Sequence, residues 1–151
     1  MAAVGFAITT AALWSERDGL SKEMIALRGE ALALRTRDAL AKVKISTLAA
    51  QNEDYAKCVA VVVWDGENQR GIVTLANSPN LAAGQGYQLW LIDPKRPEPV
   101  FAGGVPVGDD GLARVAFTPE HTVRVVEKFA ISIGRTGGAP APHGPFVLLG
   151  N

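Results

Sequence analysis

A chain of 151 residues fits one compact domain with an appendage and is long enough to bury a core without disulfide or metal staples. Fifteen basic residues balance fifteen acidic ones, so no global field draws the chain to nucleic acid or to an acidic surface, and no nucleic-acid partner is expected. A single cysteine, Cys58, excludes an intrachain disulfide and C-x-x-C chemistry.

The run MAAVGFAITTAALW, Met1 to Trp14, carries no charge, whereas a spanning helix needs ~20 apolar residues. A secretory signal would open on a basic region, and none precedes this run. Trp14 followed by Ser-Glu-Arg-Asp fits the point where a membrane helix leaves the bilayer, with an aromatic at the interface and charges in water. Residues 1–14 therefore read as the C-terminal end of a transmembrane helix. A buried helix of the globular domain is the competing reading.

Leucines then recur every seven residues at Leu13, Leu20, Leu27 and Leu34. With these at d, the a positions are Arg17, Met24, Ala31 and Asp38, so Leu13, Leu20, Met24, Leu27, Ala31 and Leu34 form the candidate dimer seam. In the same frame Glu23 and Glu30 fall at g and Arg28 and Arg35 at the following e, the placement that pairs charges between parallel helices. Against a coiled coil stand Gly19 and Gly29, each costing ~1 kcal/mol of helix propensity. A second stripe of Ile25, Leu32 and Leu40 would suit a single amphipathic helix packed on its own domain. Homodimer and packed monomer both remain open. The helical pattern stops near residue 40, which sets 15–40 as an amphipathic or coiled-coil linker.

Period-two alternation begins with KVKIST and continues through KCVAVVVW, RGIVTLA, YQLWLI, PVFAGG, LARVAF, KFAISI and FVLL. Turn signals such as WDGENQ, DPKRPEP, GDDG and TGGAPAPHGP separate these eight segments, and helical crossovers are absent. The expectation for residues 41–151 is a mainly β domain, an antiparallel β-sandwich, preceded by the long N-terminal helix. Alternation turns Tyr87, Leu89 and Leu91 to one face and Gln88, Trp90 and Ile92 to the other; both sets are largely apolar, which predicts a strand covered on both sides.

Chemistry is sparse. His121, His143 and Cys58 are scattered without ligand spacing, so no metal or cofactor is expected. Cys58 sits in an apolar strand and reads as a small hydrophobe, and His143 reads as a loop residue. No strand-to-helix elbow exposes a nucleophile, and Asp109-Asp110-Gly111 reads as a hairpin turn rather than an acid and base pair. Gly137 and Gly138 are expected to supply positive φ in a turn. No catalytic residues are assigned.

YQLWLID, Tyr87 to Asp93, preceded by LAAGQG and followed by a proline loop and FAGG, resembles the signature of the anti-sigma-K factor C-terminal domain family. FAISIGRTGGAPAPHGPFVLLG and VVVWDGENQRGIVTLANSPNL are similar to that family in order and spacing, so the likeness covers about residues 41–151 plus the tether. On this resemblance Tyr87, Gln88, Leu89, Trp90, Asp93, Gly137, Gly138 and Pro140 are its structural motif residues. It implies a regulator and not an enzyme: the extracytoplasmic domain of a single-pass membrane anti-sigma factor, with residues 15–151 on the periplasmic side. Its partners would be an extracytoplasmic-function sigma factor, held by an amino-terminal domain that this chain lacks, and membrane-associated proteases that release it stepwise. The alternative from another class is a membrane-tethered ligand-binding or adhesion sandwich, using the WDGENQ and DPKRPEP loops with Trp64.

Overall fold

The structure, a computed structural model, describes residues 3–138 and 140–151, with side chains from residue 19 onward. The chain divides into two units, Met1–Ala41 and Lys42–Asn151.

The first unit is one helix, α1 (Ala3–Ala41), rich in the alanine, leucine, arginine and glutamate that lose least on helix formation. It runs without a break through the 14/15 boundary. No helix among the described residues is long and apolar enough to cross a membrane. An added Cβ at Gly19 or Gly29 meets nothing within 4 Å, so these glycines answer no packing need inside the helix. Every described side chain of α1 is exposed, including Leu20, Met24, Leu27 and Leu34. At ~100° per residue, Ile25, Leu32 and Leu40 lie a third of a turn or more from that row. Apolar character is therefore spread around α1, and its amphipathicity is weaker than expected.

The second unit holds eight antiparallel strands: β1 (Val43–Ala50), β2 (Val59–Asp65), β3 (Arg70–Ala76), β4 (Gln85–Ile92), β5 (Val100–Val105), β6 (Ala113–Phe117), β7 (Lys128–Arg135) and β8 (Phe146–Gly150). All eight predicted segments become strands. The predicted sandwich, however, is replaced by a single sheet in the order β5-β4-β7-β8-β1-β2-β3-β6, curled until its edge strands approach like a nearly closed barrel. The reason lies in β1. Its first six residues pair with β2 from Val43↔Asp65 to Leu48↔Ala60, and its last two pair with β8 through Ala49↔Leu149 and Ala50↔Leu148. One strand that serves both halves joins what would otherwise be two layers.

The halves are buried differently. β2 and β3 alternate as half-solvated strands do, burying Ala60, Val62, Trp64, Val73 and Leu75 while their intervening residues face outward. In β7, by contrast, Phe129, Ala130, Ile131 and Ser132 are all buried. On the outer face of the first half, Ile45, Val63, Ile72 and Ala116 stand in one cross-strand row, with Ile45, Val63 and Ile72 exposed.

Connections show where local signals held. WDGENQ closes the β2–β3 hairpin, with Asp65 Oδ1 accepting from the backbone N–H groups of Glu67 and Asn68. Asp109-Asp110-Gly111 does form a turn, with Gly111 at φ +72° and Gly108 N–H donating to Leu112 O. It is not a hairpin, since the flanking β5 and β6 are the opposite edges of the sheet. The β6–β7 connection is tied across one end by Gln69, whose amide donates to Val123 O and accepts from Val123 N–H, which seats Val123 in the core.

A buried hydroxyl in β1 opposes the fold. Ser46 is 2 % exposed, and its Oγ has no hydrogen-bond partner among the described residues. Ser46→Ala is therefore expected to raise stability by about 1 kcal/mol, because it removes an uncompensated hydroxyl at little cost in volume. An unchanged urea midpoint would show that the hydroxyl is satisfied after all.

Candidate functional site

The motif residues converge on β4. Tyr87, Leu89 and Leu91 enter the main core, while Gln88 and Trp90, 1 % and 0 % exposed, are buried on the opposite face. The expectation of a strand covered on both sides thus describes β4, which lies between β5 and β7.

What covers the second face depends on a bulge. Leu89 pairs with Gly103 but Trp90 pairs with Phe101, so Ala102 is an extra residue in β5. Without it, Ala102 would stand beside Trp90; with it, Ala102 drops into the core and Phe101 takes the outer position. Gly103, at φ +121°, supplies the backbone bend. The Phe101 and Trp90 rings then meet at 5.1 Å, and the Trp90 indole N–H donates to Ser132 Oγ at 2.8 Å. Gly138 also abuts Phe101: an added Cβ there would come within 2.9 Å of the ring. Gly137 and Gly138 take φ of +103° and +91° in the turn after β7. Pro140 is exposed, and Ala139 lies outside the described residues.

Gln88 completes the cluster. Its Nε2 donates to Arg135 O at 2.9 Å, while its Oε1 is buried with no hydrogen-bond partner among the described residues. The amide occupies the space a side chain at Gly134 would need, 2.5 Å from that position. At the far end of β4, the buried Asp93 accepts from Lys95 N–H and shapes the start of the proline-rich connection to β5.

Beside this cluster lies an open cleft of about 570 Å³, bordered by Leu81, Gly86, Gln88, Gly104, Val107 and the Arg135–Gly138 turn. Sequence reasoning found β4 and the double glycine but missed Phe101, Ser132 and Gly134. A phenylalanine in PVFAGG was visible, but its face was not, since one inserted residue reverses it.

The other candidates stay apart. Of the dimer-seam residues, Leu20, Met24, Leu27, Ala31 and Leu34 are exposed on α1, as are Glu23, Arg28, Glu30 and Arg35; Leu13 lies outside the described side chains. Cys58 is buried, and burial pushes its thiol away from the reactive thiolate. His121 and His143 are exposed, and no cluster of three metal-ligating side chains occurs among the described residues.

Tyr87 offers a test of the core around β4. It is 2 % exposed, donates its hydroxyl to Pro79 O at 2.7 Å and meets Tyr55 edge-on at 6.3 Å. Burial, reinforced by Tyr55, pushes its phenol far above the usual range. The unfolded chain ionises this phenol near pH 10 while the folded chain holds it neutral. Its contribution is whole below about pH 10 and is lost as pH rises above it. Tyr87→Phe is expected to flatten the alkaline fall in stability and to cost about 1 kcal/mol at neutral pH through the lost hydrogen bond. Denaturation midpoints at pH 7 and above pH 10 measure both; parallel alkaline slopes would contradict the assignment.

The family model described as "Anti-sigma-K factor rskA, C-terminal" matches residues 1–146. No curated protein and no solved structure matches the chain.

Proposed function

We propose, on the premise that the chain belongs to the anti-sigma-K factor C-terminal family, that Lys42–Asn151 is the extracytoplasmic regulatory domain of a single-pass membrane anti-sigma factor. The family role is regulation of transcription through a sigma factor. In this reading the folded β domain limits access of membrane-associated proteases to the tether, and its loosening starts the stepwise cleavage that frees the sigma factor. The observation that carries it is the extent of the match, residues 1–146, which includes both α1 and nearly all of the sheet. The uncharged run ending at Trp14, with Ser-Glu-Arg-Asp after it, supports a membrane exit there.

The test follows the tether in cells that carry the native gene. Variants that loosen the β domain without touching α1 should raise cleavage of the anchor, read by immunoblot, and raise a sigma-dependent reporter without any inducing signal. Cleavage that is the same in loosened and wild-type proteins would sink the reading.

A homodimer through α1 is part of the same proposal, supported by the exposed Leu20, Met24, Leu27 and Leu34 row with Glu23/Arg28 and Glu30/Arg35 flanking it. Sedimentation of residues 15–151 is expected to show concentration-dependent dimers that Leu27→Glu abolishes. A wild-type protein that stays monomeric at every concentration would remove the dimer.

A further inference from the structure

We propose that the cleft beside β4 binds an extended, uncharged peptide segment over the bare strand backbone at Gly86 and Gly104. This goes beyond the regulatory reading and does not depend on it, since the site is read from the β domain alone.

Glycine weakens a strand interior, so each strand glycine calls for a reason. Gly134 has one, because the Gln88 amide fills its side-chain space. Gly86 and Gly104 have none of the usual ones. Neither takes a positive φ. An added Cβ at Gly86 meets nothing within 4 Å, and one at Gly104 meets only Tyr87 O at 3.9 Å. Their positions are linked: Gly86 lies opposite Gly134 and two residues from Gln88, and Gly104 lies opposite Gln88, so all share one face. What the two glycines do is leave the floor of the cleft as naked backbone, open to close approach.

The Gln88 amide lies on the same face, over Gly134. Its Nε2 donates to Arg135 O, and Oε1 is turned onto Gly134, buried and without a hydrogen-bond partner among the described residues, so the amide fills the Gly134 end of this face and leaves the Gly86 and Gly104 end bare.

The rim selects the class of ligand. Asn80, Gln85 and Thr136 are neutral hydrogen-bonding groups, and Leu81 and Val107 are apolar. Arg135 and Asp109 bring one charge of each sign, which favours neither anions nor cations. Tyr87 is the aromatic that borders the cleft among the described residues, and its ring belongs to the core, so no exposed platform is offered for a sugar or a base to stack on. Neutral amides over a backbone floor, with small apolar walls, match the alternating donors and acceptors of an extended peptide. The volume lies within the ~300–1,000 Å³ of ligand sites.

The experiment uses the full chain, labelled with nitrogen-15, and a library of acetylated and amidated pentapeptides built from Gly, Ala, Ser, Val, Leu and Pro. Amide resonances of Gly86, Gln88, Gly104 and Arg135 to Gly138 are expected to shift together on titration. Gly86→Val is expected to keep the thermal midpoint, since its side chain enters open space, and to weaken binding by about tenfold or more. If that variant unfolds, Gly104→Ala takes its place with the same expectation. No shifts at about 1 mM peptide, a range that covers weak binding, would overturn the proposal. So would shifts located elsewhere, full affinity in a folded floor variant, or methyl glycosides shifting these resonances where peptides do not.

Discussion

Trp90→Ala is expected to lower the stability of the β domain by about 3–5 kcal/mol, the range for removing a large buried aromatic. The side chain is wholly buried, and it holds the second face of β4 together by touching Phe101 and donating to Ser132 Oγ. Truncation leaves a hole that Phe101 and the Gly138 turn can only partly fill, and it strips Ser132 of its partner. Trp90→Phe separates these effects. It keeps most of the apolar contact and loses only the indole N–H, so a loss of about 1–2 kcal/mol is expected. Urea unfolding of both variants against wild type measures the difference. A wild-type midpoint in Trp90→Ala would mean that the outer layer contributes nothing. Trp90→Ala is also the natural loosened variant for the cleavage test in cells, because it acts far from α1 in sequence.

Gly71→Ala should be among the most damaging single-methyl changes in the sheet, with an expected loss of about 3 kcal/mol. Gly71 pairs with Trp64 on β2 and with Phe117 on β6, so the three form one row across the core face. The rings of Trp64 and Phe117 stack at 5.7 Å and 7° over the glycine between them. An added Cβ would lie 2.5 Å from Phe117 Cζ and 2.5 Å from Val63 O. The ring could move only by giving up the stack, and the carbonyl belongs to the sheet backbone and cannot yield cheaply. A lowered midpoint together with a changed near-ultraviolet circular dichroism signal from Trp64 is the expected result. A stable variant with an unchanged signal would show that the stack shifts without cost. Gly86 makes the contrast, since the same methyl there enters open space.

Strand positions were legible because alternation is a local property. Val59 to Trp64 and Ile72 to Leu75 already show which residues can face a core, and the turn residues between them are chosen by backbone geometry. The end of α1 near residue 40 was legible for the same reason: Val43 begins a different period. The two-sided burial of β4 followed from Tyr87 to Ile92 being largely apolar on both faces. These features need only neighbours in the chain.

Strand partners are another matter. β8 lies beside β1 and β6 lies beside β3, pairings between distant segments that no local pattern specifies, and they turned an expected sandwich into one curled sheet. The GDDG turn shows the limit, because it folds as its residues dictate while the strands it joins part to opposite edges. The candidate site depends most on this level. Whether Phe101 or Ala102 covers Trp90 is decided by one bulged residue. The bare floor at Gly86 and Gly104 exists only because register sets both glycines beside Gln88. By itself the sequence determined which segments are helix and strand and which residues seek a core, since these are short-range preferences of backbone and side chain. Tertiary structure alone decided register and closure, because both are set by long-range packing that couples all eight strands at once.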